Sequence, residues 1–126
     1  MVEVSGAPAA PAAPFELALF PLRSVLFPGA LLPLKVFEAR YLDLVGDCVR
    51  EGKPFGVVCL RQGSEVGRQA GNFEREGVLA RIDDIDAEQA GILRVHCRGT
   101  HRFTILGDPR QAADGLWLAD VAPLAD

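Results

Sequence analysis

The residues best suited to metal or nucleophilic chemistry lie in one short segment, HCRGTH at residues 96–101. A zinc site needs three or four nitrogen or sulfur ligands that converge on one point. In a regular strand His96 and His101 point to opposite faces, and Cys97 opposes His96. A bulge at Gly99 could reverse that relation, but the nearby sequence offers no fourth ligand. The pattern therefore favours a surface His96 and a core-edge His101 over a metal site.

A glycine-rich stretch at residues 63–71 and the serines are the next candidates, and neither supports catalysis. A phosphate-binding loop ends in Gly-Lys-Ser or Gly-Lys-Thr, whereas this stretch has no lysine and carries Glu65, which would repel a phosphate. No serine lies in the Gly-x-Ser-x-Gly turn of a serine hydrolase. We therefore interpret residues 62–76 as a long mobile loop.

A cluster of acidic residues could in principle hold a cation such as calcium. Its members are Asp83, Asp84, Asp86 and Glu88. The cluster lacks the glycine and the terminal glutamate that an EF-hand loop needs at fixed spacing. A solvated hairpin tip before Gly91 is the better interpretation. The sequence thus predicts no catalytic residue, no metal and no cofactor.

The composition disfavours several classes of protein. The 126 residues include 13 Lys+Arg and 17 Asp+Glu, and the resulting net charge of −4 argues against nucleic-acid binding. No apolar run approaches the roughly 18 residues of a membrane span. Residues 1–14 are rich in Ala and Pro, lack the basic start of a secretory signal, and are expected to form a flexible tail. Three separated cysteines in apolar surroundings indicate reduced thiols and a cytoplasmic protein.

Apolar residues that alternate with polar ones predict about six strands. Pro33 cannot donate to a ladder, which places its strand at a sheet edge or at the start of pairing. The long strand from Leu93 to Leu106 is too long to stay flat in so small a domain, so we expect a bulge or bend at Gly99. The predicted strands are Leu17–Phe20, Leu32–Val36, Phe55–Leu60, Val78–Ile82, Leu93–Leu106 and Leu116–Val121.

One amphipathic helix is predicted over residues 38–51, and Gly52 supplies its C-terminal stop. Its apolar stripe consists of Tyr41, Leu44, Val45, Cys48 and Val49. The chain contains 13 Gly and 9 Pro, and this content, with the predicted strands and helix, is typical of a turn-rich, mainly β (α+β) fold. The predicted architecture is a curled, mostly antiparallel sheet or partly open barrel with one helix.

The most distinctive feature of the sequence is the run FPLRSVLFPGALLPLKVFEARY at residues 20–41. It closely resembles the opening of the Lon protease N-terminal (substrate-binding) domain family. Later segments, FGVV at 55–58, EGVLARI at 76–82 and GTHRFTI at 99–105, resemble further parts of the same domain. Val78 stands where the family usually has threonine. The resemblance covers about residues 15–122.

The resemblance implies a PUA-like pseudo-barrel and a role in recognising polypeptides. Full-length proteases of this family continue into an ATPase and a Ser–Lys protease domain, and the sequence contains neither a Walker A motif nor a plausible dyad. We therefore expect a non-enzymatic binding module, a small stand-alone relative whose partners are unfolded or extended polypeptide segments. Residues 123–126 are expected to begin a C-terminal segment that the sequence lacks.

The candidate substrate-binding residues lie on and after the loop at 24–31, which is more apolar than a loop needs. They are Val25, Leu26, Phe27, Leu31 and Phe37. A peptide could also add to the proline-interrupted edge strand. The alternative is that Phe27, Leu31 and Phe37 fill the end of the barrel as core residues.

Two other functions stay open at the level of sequence. Some PUA-like proteins bind RNA, and Arg94, Arg98 and Arg102 share even parity and could line one face of the long strand. Such side chains are more often simply solvated. A small hydrolase would need an activated nucleophile, and a lowered thiol pKa at Cys59 or Cys97 would be the first sign of one.

Overall fold

The structure, a computed structural model, describes residues 13–61 and 72–125. It contains six strands, where apolar residues alternate with polar ones, and one helix. The predicted mainly β fold with one helix is confirmed. The elements are β1 (Phe15–Leu22), β2 (Leu31–Val36), α1 (Ala39–Glu51), β3 (Phe55–Leu60), β4 (Phe73–Gln89), β5 (Ile92–Gln111) and β6 (Trp117–Pro123). Of the tail predicted at 1–14 and the loop predicted at 62–76, residues 1–12 and 62–71 lie outside the described residues.

The strands form a single sheet in the order β2-β5-β4-β3-β1-β6, and β5 also pairs with β6. This additional pairing joins β1, β3, β4, β5 and β6 into a closed ring, and β2 extends from β5. Five of the six pairings are antiparallel, but β1 and β3 are parallel. The sheet is therefore mixed rather than wholly antiparallel, because β2 and α1 carry the chain back between β1 and β3.

Two apolar clusters lie on opposite faces of the sheet. Val57 and Val58 are consecutive in β3 and therefore point to opposite faces, and each belongs to a different cluster. The inner core fills the ring and draws on all five of its strands, including Leu19 and Phe103. The outer core lies between the sheet and α1, which contributes Tyr41, Leu44, Val45 and Cys48. Burial on both faces explains why β3 is apolar throughout.

The expected irregularity at Gly99 is a bulge in β5. Val78 pairs with Arg102 and Ala80 with Gly99, so β5 has one residue more than β4 between these pairs. The Thr100 hydroxyl within the bulge donates to the Leu79 carbonyl at 3.2 Å. The extra residue reverses which face of the sheet the odd-numbered side chains of β5 occupy. Before the bulge its odd-numbered residues enter the outer core, and after it they enter the inner core.

The helix ends as predicted, because Gly52 adopts a left-handed conformation with φ of 66° and the Lys53 N–H donates to the Cys48 carbonyl. Val49 was predicted in the apolar stripe but is 53% exposed. It lies at the margin of the helix surface that faces β4. No helix among the described residues is long and apolar enough to cross a membrane.

Arg40 and Tyr41, which belong to the distinctive sequence run, hold α1 against the rest of the fold. The Arg40 guanidinium donates to the Gly115 carbonyl at 2.7 Å and lies 4.9 Å from the centre of the Tyr41 ring. Tyr41 stacks on Phe20 with ring centroids 4.2 Å apart. This part of the run is therefore explained by packing.

Several predicted boundaries need correction. The loop predicted at 62–76 already belongs to β4 from Phe73. The acidic cluster lies within β4, whose pairing with β5 runs to Gln89, so it is not a hairpin tip. β1 continues through Pro21, which pairs with Val58 of β3. Pairing with β6 ends at Leu19, so β1 has an open edge beyond that residue. A proline is tolerated at such an edge, where the N–H that it lacks is not needed for a ladder bond.

The sheet also extends past the predicted end of the domain at residue 122. Pro123 belongs to β6, and the Leu124 N–H donates to the Arg102 carbonyl at 2.9 Å.

Candidate binding surface

The apolar loop at residues 23–30 joins β1 to β2 and is fixed to the bulge of β5. The Gly29 N–H donates to the Gly99 carbonyl at 2.8 Å, and the Gly99 N–H donates to the Ala30 carbonyl at 2.9 Å. The Ala30 N–H closes a turn on the Phe27 carbonyl, with Gly29 at a φ of 83°. The loop backbone is thus held by hydrogen bonds to the sheet.

Gly99 allows the loop to approach this closely because it has no side chain. A Cβ at position 99 would lie 2.5 Å from the Phe27 carbonyl oxygen and 3.2 Å from side-chain carbons of Leu26 and Val78. Only glycine leaves room for the loop backbone at the bulge. Sequence reasoning placed the bulge correctly but did not reveal this contact between the loop and β5.

The side chains of the loop divide between core and solvent. Leu26 is 7% exposed and belongs to the outer core, whereas Val25 is 62% and Phe27 66% exposed. Leu31, the first residue of β2, is 67% exposed. We call Val25 and Phe27 the loop patch, whereas Leu31 pairs with Arg98 and lies on the face of the sheet that carries this arginine. Phe27 and Leu31 therefore do not fill the barrel end, while Leu26 is a core residue that anchors the loop.

Phe37 is exposed but lies away from the loop patch. It follows the last residue of β2, whereas Leu31 is the first. At about 3.3 Å per residue, six residues of strand separate the two by roughly 20 Å. Phe37 lines a separate pocket of about 250 Å³ with Phe20 and Tyr41. The five predicted residues are thus a patch of two, one anchor, one leucine on the edge strand β2 and one distant aromatic residue.

A groove of about 220 Å³ runs beside the loop, between Phe27 and the neighbouring strands. Its walls include Val57 and Val78 from the outer-core face, and an Arg102–Glu76 ion pair at 3.9 Å stands at its side. A second, more open groove of about 500 Å³ shares Val25 and Glu76 with the first. The loop patch therefore borders a groove with apolar walls and charged residues at its margins.

The three arginines of the RNA hypothesis do not share a face. Directly paired residues of adjacent strands lie on the same side of a sheet. Arg98 pairs with Arg81, whereas Arg102 pairs with the buried Val78, because the bulge lies between them. Each arginine also has a carboxylate partner: Arg94 with Glu88, Arg98 with Asp83 and Arg102 with Glu76. The hypothesis that Arg94, Arg98 and Arg102 line one face is therefore wrong.

The buried thiols are not activated nucleophiles. Burial raises the pKa of Cys97 to about 12 and the pKa of Cys48 to about 11. An activated thiol has its pKa lowered instead. His101, predicted at the edge of the core, is exposed. Within residues 13–61 and 72–125, no three His, Cys, Asp or Glu side chains come together as a metal site.

A family model matches residues 16–126, and its description is the substrate-binding domain of ATP-dependent protease La (LON). The chain is 36% identical to a Lon protease of Anaeromyxobacter dehalogenans over 94 residues, which are 74% of this chain and 11% of that protein. It is 40% identical to Lon protease 2 of Myxococcus xanthus over 70 residues, or 55% of this chain and 8% of the other. The chain thus spans about a tenth of the proteases that it matches.

Two solved structures share the fold. A Lon N-terminal domain protein from Xanthomonas campestris superposes with a TM-score of 0.75 at 40% identity, covering 88% of this chain and 60% of the other. The N-terminal domain of a Mycobacterium avium complex Lon protease superposes with a TM-score of 0.64 at 15% identity, covering 89% of this chain and 56% of the other. At that identity the second likeness concerns the fold alone.

Proposed function

The chain belongs to the LON substrate-binding domain family, and from this premise we propose that it binds extended, apolar-containing segments of other polypeptides through the loop patch. The single observation that carries the proposal is the exposure of Val25 and Phe27 on a loop whose backbone is hydrogen-bonded to the sheet. Exposed apolar side chains on a rigid support lose little conformational entropy when a partner covers them.

The proposed role is binding without chemistry. The family match takes up residues 16–126, and the fifteen residues before it are too few for an ATPase or protease domain. The 126 residues therefore hold the substrate-binding domain and neither catalytic domain. Binding of a polypeptide would then present it to another activity, or keep it from one.

The proposal is tested by measuring the affinity of the chain for a permanently unfolded protein. Fluorescein-labelled α-lactalbumin, reduced and carboxymethylated, serves as the probe in an anisotropy titration. The double variant Val25→Ser, Phe27→Ser removes apolar area that a partner would bury, so we expect about tenfold weaker binding. Because both side chains are solvent-exposed, the free energy of unfolding should change by less than about 1 kcal/mol.

Val49→Ser is the matched control, since Val49 is 53% exposed but lies on α1 away from the loop. It should bind the unfolded probe as the parent chain does. If the parent chain shows no affinity at high micromolar concentration, or if the two variants lose affinity equally, the loop patch is not a polypeptide site.

A further inference from the structure

The strand β2 has one unpaired edge among the described residues, because it stands at the end of the strand order and pairs only with β5. Gly99 directs its N–H and its carbonyl toward the loop just before β2. Backbone groups alternate in direction along an antiparallel ladder, so Leu32, Leu34 and Val36 bond to β5. The backbone groups of Leu31, Pro33 and Lys35 therefore point away from the sheet.

This edge offers an incomplete ladder. Leu31 and Lys35 each present a donor and an acceptor, and Pro33 presents an acceptor only. The proline occupies a position where its missing N–H removes no bond to β5. Proline and lysine on an edge strand also restrict indiscriminate pairing. A partner strand must therefore gain enough from side chains to offset the missing bond.

The side chains beside this edge are apolar at the start and cationic further along. Leu31 is 67% exposed, and Lys35 is exposed on the same face of β2. Among the described residues Lys35 has no carboxylate partner. Across the pairing with β5 the neighbouring cations are neutralised, with Arg94 bonded to Glu88 and Arg98 to Asp83. The unmatched charge on this edge is that of Lys35.

We propose that an extended peptide adds to β2 as an antiparallel strand, with an acidic residue opposite Lys35 and an apolar residue four positions later opposite Leu31. Directly opposed side chains lie on one face, so each would contact its counterpart. The inference rests on the proposed function and specifies its mode: backbone pairing supplies affinity, and the two side chains supply selectivity and direction.

A second copy of this chain fits the edge less well than such a peptide. The antiparallel register that overlaps the whole strand sets Leu31 opposite Lys35 and Pro33 opposite Pro33. Two carbonyls would then face each other without a donor, and neither lysine would meet a carboxylate. A foreign strand without proline at the central position supplies the missing donor.

The test uses the acetylated and amidated peptide Thr-Glu-Thr-Val-Thr-Phe-Thr as the probe. Its matched control has the same composition in reverse order, Thr-Phe-Thr-Val-Thr-Glu-Thr. Antiparallel addition places the glutamate opposite Lys35 only in the first peptide, which should bind about threefold more tightly. Lys35→Glu should reverse the preference between this peptide and its analogue with lysine in place of glutamate.

Methylation of the peptide nitrogens separates strand addition from binding by side chains alone. The N–H groups of the glutamate, valine and phenylalanine would face β2, and those of the intervening threonines would face away. Methylation at valine should therefore weaken binding about tenfold, and methylation at a neighbouring threonine should have little effect.

The possible results distinguish this inference from the proposed function. If the peptides and the unfolded probe bind, depend on Phe27, and show neither the alternation nor the Lys35 dependence, strand addition is wrong while the loop patch stands. If alternation appears with preference for the reversed peptide, the added strand is not antiparallel as proposed. If the Val25 and Phe27 double variant still binds the peptides, and the effect of N-methylation still alternates along them, the edge of β2 binds without the loop patch.

Discussion

The loop patch and the face of β4 and β5 that points away from the outer core are both exposed, but they meet solvent in opposite ways. We call the second region the charged face: Arg81, Asp83, Asp84, Arg94, His96 and Arg98. Its arginines lie beside carboxylates, with Arg98 and Asp83 3.3 Å apart and Arg81 and Asp83 3.5 Å apart. The loop patch instead presents apolar side chains on a backbone bonded to Gly99.

This difference indicates where a partner would gain most. A partner on the charged face would have to replace ion pairs that already exist, and exposed pairs of this kind contribute little net free energy. A partner on the loop patch would remove apolar area from water, at about 25 cal/mol for each Å². Conspicuous charge is therefore a weaker sign of a site here than a few exposed apolar residues.

The position of the loop patch depends on Gly99, and Gly99→Ala should have the largest effect. The new Cβ would meet the Phe27 carbonyl oxygen at 2.5 Å, so the loop must move or the bulge must open. We expect the free energy of unfolding to fall by about 2 to 3 kcal/mol, and binding of the unfolded probe to weaken. Urea denaturation measures the first and anisotropy the second.

Gly46→Ala is the control for this substitution. Gly46 lies in α1, and a Cβ there would have nothing within 4 Å. Alanine should therefore stabilise the chain by up to about 1 kcal/mol through its higher helix propensity. Equal effects of the two substitutions would mean that the loop is not held by its close approach at Gly99.

The two buried thiols of the outer core, Cys48 and Cys97, should lower the free energy of unfolding at alkaline pH. Burial raises the pKa of Cys97 from 9.0 to about 12 and that of Cys48 from 9.0 to about 11. Above pH 9 the unfolded chain releases these protons first, so the folded state loses stability, by about 1.4 kcal/mol per pH unit for each thiol. Below pH 9 the two thiols contribute no pH dependence.

Cys97→Ala should reduce the slope of the unfolding free energy against pH between 9 and 11, as followed by urea denaturation at each pH. The comparison of slopes is independent of the packing lost with the thiol, since that loss is the same at every pH. An unchanged slope would show that Cys97 is not shielded from solvent in the outer core.

On the charged face, Arg98→Ala should have the smallest effect. The Arg98 and Asp83 side chains are both partly exposed, so we expect a loss below about 1 kcal/mol, smaller still in high salt. Binding of the unfolded probe should be unchanged. Unfolding at low and high salt, with the anisotropy titration, measures both. A large loss of binding would show that the unfolded probe binds at the charged face, contrary to the proposed role of the loop patch.

Much of the fold could be predicted because it depends on local patterns. Residues 38–51 carry helical periodicity and end at Gly52, and the structure begins α1 at Ala39 and ends it at Glu51. The bulge at Gly99 followed from the length of the strand and the glycine within it. The parallel pairing of β1 with β3 could not be predicted in this way, because alternation within a strand does not specify its neighbour.

The candidate site was predicted less completely. The apolar loop was identified, but the sequence could not separate Leu26 from Val25 and Phe27, since all three are apolar and adjacent. The arginine stripe failed for a related reason. Parity assigns Arg98 and Arg102 to one face, and a single extra residue between them places them on opposite faces.

The sequence by itself determined the periodic elements, the position of the bulge and the distinctive run that marks the family, because these reside in neighbouring residues. Only the tertiary structure decided which apolar side chains of the loop are buried, which charges are paired and which edge of β2 is open. Those properties arise from contacts between distant segments, above all the approach of residues 27–30 to Gly99. Burial depends on what covers a residue as well as on what the residue is.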